Sequence, residues 1–422
     1  MSITEEQQNC YHDFEDFVCK KCGFIDLQNR TKIKLNLEQM EKTMKKETFE
    51  RMVESIFEKE GTDIHISSKN KIGFRIMGKM KQQDEYGVLS VEDTKAIFNH
   101  TLSYLPEDSI DFVMKEIKDY GHAGYAILIK DKYRFRVNAG KYNGGFYIVL
   151  RTLTAEPRDL INLGFSDKIY KGLSMAANKK AGLFLVVGPT GSGKSTTLAA
   201  MIKQVNKTFE KNIITLEDPV EYTHESIKSN VVQKELGRDM PSFAHGLKAA
   251  LREDPDVILV GEIRDIDTLN LALKAAETGH MVFSTLHTDN TVSTIQRIVA
   301  MSDNESLTRD RLSSSLLGVI AQRLETIEPL SEEQAEKRGL KPRHGRILNY
   351  EMLTFTSALS NILKEGGQDQ QISGSLDITP FSQSYNQTLI NYIKDKVITR
   401  EEALKIATDK KDLEYKINNQ VD

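Results

Sequence analysis

Leu183-Phe-Leu-Val-Val187-Gly188-Pro189-Thr190-Gly191-Ser192-Gly193-Lys194-Ser195-Thr196 is the stretch that decides how this chain is read. An apolar run enters the pattern G-x-x-x-x-G-K-S, and the residues from Lys194 to Val205 can then begin a helix. Strand, glycine-rich turn and helix in that order build a phosphate cradle. Backbone N–H groups of the turn surround the anion, and the positive end of the helix points at it. Glycine keeps Cβ atoms clear of the phosphates. Lys194 is expected to neutralise the β- and γ-phosphates, Ser195 to ligate Mg²⁺ through its hydroxyl, and Thr196 to touch a phosphate, with ATP as the ligand.

Hydrolysis also needs a carboxylate that positions or activates the attacking water. Two further apolar runs end in one: Ile213-Ile-Thr-Leu216 is followed by Glu217-Asp218-Pro219, and Asp256-Val-Ile-Leu-Val260-Gly261 by Glu262. In a parallel α/β sheet the C-terminal ends of the strands share one edge with the phosphate loop, so Glu217 and Glu262 can converge on the γ-phosphate and the metal. Glu217 is read as the base and Glu262 as the metal-side group, although sequence order does not separate the two roles. Gly261 stands where an aspartate would commonly precede the glutamate, which leaves the metal to Ser195, phosphate oxygens and water held by Glu262. Met281-Val-Phe-Ser-Thr-Leu286 brings His287 to the same edge, either as a γ-phosphate sensor or as a structural hydrogen-bonding group.

Upstream, Phe49, Met52, Val53, Ile56 and Phe57 recur at helical spacing on a stretch that stops at Gly61. Short alternating runs follow at 63–66, 73–77, 125–129, 133–137 and 146–150, interrupted by helical stretches at 91–104 and 109–120, which describes a small α+β domain. Two-residue alternation puts Arg134 and Arg136 on one strand face, with Arg151 at the end of the next strand. A solvated face and an anion clamp are both open to these arginines. His65, flanked by Ile64 and Ile66, reads as a hydrogen-bonded structural histidine.

All three cysteines of the 422 residues fall in Cys10-Tyr-His12-Asp-Phe-Glu-Asp-Phe-Val-Cys19-Lys-Lys-Cys22-Gly23. Cys19-x-x-Cys22 has the spacing of a metal knuckle, and Cys10 with His12 could complete a tetrahedral Zn²⁺ site; three reduced thiols, or a redox pair at Cys19 and Cys22, are the alternatives. A formal charge of −4, from 57 Lys+Arg against 61 Asp+Glu, supplies no global attraction to a polyanion. Direct nucleic-acid binding is therefore not expected. No apolar run reaches the roughly 20 residues needed to span a bilayer. The acidic start, with Glu5, Glu6, Asp13, Glu15 and Asp16, lacks the features of a signal peptide, so a cytoplasmic chain is expected.

Read together, Gly188 to Ser195, Thr215-Leu-Glu-Asp-Pro-Val-Glu221, Leu251-Arg-Glu-Asp-Pro-Asp-Val-Ile-Leu-Val-Gly-Glu-Ile-Arg-Asp265 and Ser284-Thr-Leu-His-Thr288 resemble the Walker A, Asp box, Walker B and His box of the type II/IV secretion ATPase superfamily, in that family's order. The resemblance runs from about Phe49 to Ala403. It implies an α/β chain in which an N-terminal PAS-like α+β domain precedes a RecA-like P-loop NTPase domain with C-terminal helices, assembled as a hexameric ring. Within the superfamily the PilT-like retraction ATPases are the nearest branch. Ser357-Ala-Leu-Ser-Asn-Ile-Leu-Lys-Glu-Gly366 is similar to their C-terminal helix motif, with Ser360 and Lys364 in place of two arginines. No cysteine follows Cys22, whereas GspE-like and PilB-like ATPases typically carry a four-cysteine module in the C-terminal half.

The resemblance also makes Arg134, Arg136 and Arg151 candidates for reaching the bound nucleotide. It implies a homo-hexamer acting on an inner-membrane pilus platform protein, peripheral at the membrane through that partner. The division expected is a zinc-binding appendage over 1–30, a linker over 31–46, the N-terminal α+β domain over 47–160 and the ATPase domain over 161–422, with a charged surface insertion over 325–343. Assembly or secretion by the same chemistry is the alternative reading. A DNA translocase lacks support from the charge distribution, and an inactive nucleotide-binding scaffold would have lost Lys194, Glu217 or Glu262.

Overall fold

The computed structural model divides into two compact units that meet between Leu153 and Thr154. The structure describes residues 44–421 except 77, 131, 154, 155 and 368, together with a short ladder in which Phe14–Glu15 pairs antiparallel with Val18–Cys19.

In the first unit, helix α1 (Lys46–Glu58) buries Phe49, Met52, Val53 and Ile56 completely. Each such side chain contributes about 2 kcal/mol through removal from water. The stripe packs into one core with a six-stranded antiparallel sheet: β1 (Gly61–Ser67), β2 (Lys71–Ile76), β3 (Lys79–Val88), β4 (His122–Ile129), β5 (Tyr133–Tyr142) and β6 (Gly145–Leu153), in the spatial order β3-β2-β1-β6-β5-β4. Helix α2 (Val91–Leu102) starts at a capping box in which Ser90 and Asp93 satisfy each other's backbone N–H, and α3 (Glu107–Tyr120) ends at the left-handed Gly121. Along β5, Phe135, Val137 and Ala139 point into the core, which leaves Arg134 and Arg136 together on the other face.

The second unit is built on a seven-stranded sheet of β7 (Gly182–Val187), β8 (Asn212–Glu217), β9 (Asn230–Glu235), β10 (Val257–Val260), β11 (Met281–Leu286), β12 (Leu316–Thr326) and β13 (Arg346–Thr354). Their order is β9-β8-β10-β11-β7-β12-β13, parallel throughout except for β13. Burial on both faces explains why β7, β10 and β11 read as unbroken apolar runs. One face of β7 (Leu183, Leu185, Val187) joins the core containing α6 (Phe243–Ala250), α7 (Ile266–Glu277) and α8 (Thr291–Ala300). The other face (Phe184, Val186) joins the core of α4 (Asp167–Ala177) and α5 (Lys194–Thr208). A smaller cluster gathers α9 (Tyr385–Lys394), α10 (Arg400–Ile406) and α11 (Lys410–Gln420).

Two expectations are corrected here. The boundary falls at 153/154 instead of 160/161. Leu160 is buried in the core of α4 and α5, and Asp159 is ion-paired with Lys203 and Lys207 of α5. The charged stretch 325–343 is more than a surface insertion. Ile327 packs with the C-terminal helices, and the buried Arg343 pairs with Glu402 while donating to Val397 O at 2.6 Å. The charges that made the stretch look solvated are in part anchors, since a buried guanidinium is retained only where it is paired.

Candidate active site

Gly188 has φ +144°, and a Cβ there would lie 2.3 Å from Gln322 O and 2.7 Å from Ser192 Oγ, so only glycine fits at the exit of β7. The turn feeds α5 through Gly193, in the left-handed conformation and with no side-chain cap on the helix. First-turn N–H groups without a side-chain acceptor form an anion site with the dipole behind them. Ser192 Oγ is buried in the same turn and has no hydrogen-bond partner among the described residues. An orphaned hydroxyl beside an uncapped helix start fits a phosphate, and the turn as a whole fits the triphosphate of ATP. Ser195 adds an exposed hydroxyl, the hard oxygen donor that Mg²⁺ prefers.

Lys194 Nζ donates to Gly188 O at 2.8 Å and Pro189 O at 3.0 Å, which folds the ammonium over its own loop. Burial pushes its pKa below the ordinary lysine range, and the nearby carboxylates of Glu262 and Glu221 oppose that shift.

The strand ends bring the acids to the same edge. Glu217 closes β8, and its Oε1 accepts from Thr215 Oγ1 at 2.7 Å and Gln233 Nε2 at 3.0 Å. Glu262 follows β10, with Oε2 accepting from Arg264 Nε at 2.7 Å and Oε1 lying 3.4 Å from His287 Nε2. Thus His287 does meet Glu262, as the shared sheet edge implies. Arg264 also lies 3.6 Å from Asp218 Oδ2, so one guanidinium spans the two acidic motifs. Thr196 Oγ1 is 2.8 Å from Tyr222 OH, which ties the start of α5 to the loop after Glu217.

In the first unit, Arg136 and Arg151 are cross-strand partners, so the three arginines share one sheet face. Arg151 is not isolated there: its Nε donates to Asp63 Oδ1 at 2.8 Å, and Arg75 lies 3.7 Å from Asp63 Oδ2. Burial works to raise the Asp63 pKa, but hydrogen bonds from Arg151 and Thr62 hold the carboxyl below the usual carboxylate range. Burial lowers the pKa of His65, and its Nε2 has no hydrogen-bond partner among the described residues, so the hydrogen-bonded role expected for it is not seen at that nitrogen. Cys10, His12, Cys22 and the side chain of Cys19 lie outside the described residues.

Residues 38–405 match the family described as Type II/IV secretion system protein. The chain belongs to the type II/IV secretion system protein family. It is 39% identical over 296 residues to the type IV pilus retractation ATPase PilT of Pseudomonas aeruginosa, covering 68% of this chain and 80% of that protein. It is 40% identical over 288 residues to a twitching motility protein of Neisseria gonorrhoeae, covering 67% and 72%. A crystal structure of the pilus retraction motor PilT with bound ADP superposes with a TM-score of 0.74 at 37% identity, over 86% of this chain and 98% of that one.

For this member of the type II/IV secretion system protein family, Gly261 has a structural explanation. Its N–H donates to Leu216 O at 2.7 Å, and a Cβ would meet that oxygen at 3.0 Å and Glu217 Cα at 3.4 Å. The end of β8 crosses so close that a side chain at 261 would require a shift of a few tenths of an ångström, and both crowding atoms are backbone. Gly261→Asp is therefore expected to lower ATP hydrolysis and to cost about 1–3 kcal/mol of stability. Measuring activity against Mg²⁺ concentration checks this: a lower half-saturating Mg²⁺ with full activity would contradict it.

Several residues that sequence reasoning left out also belong to the site. Glu221, Arg264, Tyr222 and Gln233 sit inside or near the quoted motifs, but only their contacts across strands mark them. Further out, Glu351 of β13 accepts from Thr291 N at 3.0 Å and Thr291 Oγ1 at 2.7 Å, while Tyr385 OH and Arg323 Nη2 donate to Asp289 O at 2.9 and 3.3 Å. Burial pushes the Glu351 pKa up, and the two Thr291 bonds oppose it. Together these contacts brace the segment that carries His287.

Proposed function

We propose that this chain is an ATP-hydrolysing motor that powers type IV pilus retraction, working as a homo-hexameric ring on an inner-membrane pilus platform protein and held at the membrane face through that partner. The observation that carries this reading is the likeness to the Pseudomonas retraction ATPase across four fifths of that protein, in a chain that keeps Lys194, Glu217 and Glu262 at one sheet edge. Among the described residues no helix is long and apolar enough to cross a membrane.

The chemistry assigned to the residues follows from their surroundings. Backbone N–H groups of the turn and the start of α5 bind the phosphates, and Lys194 leaves the carbonyls of Gly188 and Pro189 to meet the γ-phosphate. Bound Mg²⁺ supplies Lewis-acid charge neutralisation at the phosphate oxygens, with Ser195 and Glu262 on its side of the site. Glu217, oriented by Thr215 and Gln233, takes the proton of the attacking water. His287, 3.4 Å from Glu262, registers whether that carboxylate is engaged by the nucleotide site. Arg134, Arg136 and Arg151 are assigned as phosphate-binding groups of the first unit.

Cys10, His12, Cys19 and Cys22 are assigned to one structural Zn²⁺, on the grounds that all three cysteines cluster with a histidine at ligand spacing.

Assembly or secretion ATPases share this chemistry, so the decisive experiment is made in the cell. Deleting the gene is expected to leave abundant pili that do not retract, scored by electron microscopy and by surface motility. Loss of all pili would instead identify an assembly motor.

A further inference from the structure

Gln233 lies on the edge strand β9, opposite Thr215 in the parallel ladder and two positions short of the pair Glu217 and Glu235. All three of its amide functions are engaged. Nε2 donates to Glu217 Oε1 at 3.0 Å and to Tyr222 O at 2.8 Å, while Oε1 accepts from His224 N at 2.8 Å. These partners fix the amide's orientation, because a flipped group would set an oxygen against the carboxylate and an NH₂ against a backbone N–H. Tyr222, one of the acceptors, reaches Thr196 Oγ1 on the first turn of α5 with its hydroxyl at 2.8 Å. The loop between Glu217 and Gln233 is thereby tied to the carboxylate at one end and to the phosphate-binding helix at the other.

We propose that Gln233 is a positioning residue for hydrolysis: through its amide N–H it aims the Glu217 carboxylate, and through Tyr222 it links that aim to the start of the phosphate-binding helix. The inference rests on Glu217 being the base. Gln233 acts through the Glu217 carboxylate and the 222–224 segment, its partners in the structure. Loss of such a support displaces a reacting group without removing it, and a misplacement of about 1 Å can cost on the order of 10²-fold in rate.

Rank order among variants separates this role from simple structural support. Gln233→Glu keeps the shape and the acceptor for His224 N but opposes the Glu217 carboxylate with a like charge. Gln233→Leu removes every hydrogen bond. A structural role makes the isosteric glutamate the milder change. Positioning of a carboxylate makes it the worse one: kcat is expected to fall about 10-fold in Gln233→Leu and about 100-fold in Gln233→Glu, with the KM for ATP within about two-fold of wild type in both. The double variant Glu217→Gln/Gln233→Glu restores a donor–acceptor pair with the roles exchanged. It is expected to melt higher than Gln233→Glu alone while remaining inactive.

Steady-state ATPase kinetics and thermal melting of the full chain read all of this. Gln233→Glu equal to or milder than Gln233→Leu, or losses that fall in KM instead of kcat, overturn the inference. Substantial turnover by Glu217→Gln alone would instead overturn the assignment of the base, and is read separately from the rank order.

Discussion

Purified protein carrying Lys194→Ala is expected to hydrolyse ATP at about one-thousandth of the wild-type rate or less. The ammonium is the one lysine charge placed in the phosphate turn, 2.8 and 3.0 Å from the carbonyls of Gly188 and Pro189, and it is partly removed from water. A charge aimed at developing phosphate charge in such surroundings contributes about 4 kcal/mol to the transition state, which corresponds to that loss. Its hydrogen bonds are confined to the loop, so the variant is expected to melt within a few degrees of wild type. Phosphate release and a thermal melt on the same preparation check both halves. Near-normal hydrolysis by Lys194→Ala would remove the phosphate turn from the chemistry.

Glu217→Gln is expected to have a comparable effect with a different signature. Glutamine keeps an oxygen that can accept from Thr215 Oγ1 and Gln233 Nε2, so the end of β8 stays in place while the proton acceptor is lost. General-base catalysis accounts for typically 10²–10⁴-fold, and a fall in kcat of about 10³ with ATP binding retained is the expected outcome. Glu262→Gln is the instructive companion. That carboxylate is held by Arg264 and lies near Lys194, so its loss should raise the half-saturating Mg²⁺ concentration as well as lower the rate. If Glu262→Gln abolished turnover at every Mg²⁺ level while Glu217→Gln remained active, the two roles would be exchanged.

The phosphate turn, the buried strands and the two glutamates were legible because they are local: burial on both faces writes an uninterrupted apolar run, and a glycine cradle has a fixed spacing. Two of the edge strands, β3 and β9, were not. β3 (Lys79–Val88) is mostly exposed and polar, and β9 carries Gln233 and Lys234 among its valines, so neither shows the alternation that marks a half-buried strand. Gly261 read as a missing metal ligand, and its cause is the backbone of Leu216 and Glu217 crossing next to it from β8. Arg264, Tyr222 and Gln233 gain their meaning only when β8, β9, β10 and α5 are set side by side. Arg343 showed the opposite failure, since a charged stretch read as solvated surface holds a buried ion pair with Glu402.

The central claim is that Glu217, brought to the phosphate turn by the parallel sheet, removes the proton from the water that cleaves ATP. Single-turnover phosphate release tests it most directly: radiolabelled ATP is bound to wild type and to Glu217→Gln, Mg²⁺ is added, and hydrolysis is followed in time. Retained, unhydrolysed ATP on Glu217→Gln over about a hundred wild-type turnover times is the expected result; phosphate released from the variant at the wild-type rate would contradict the claim.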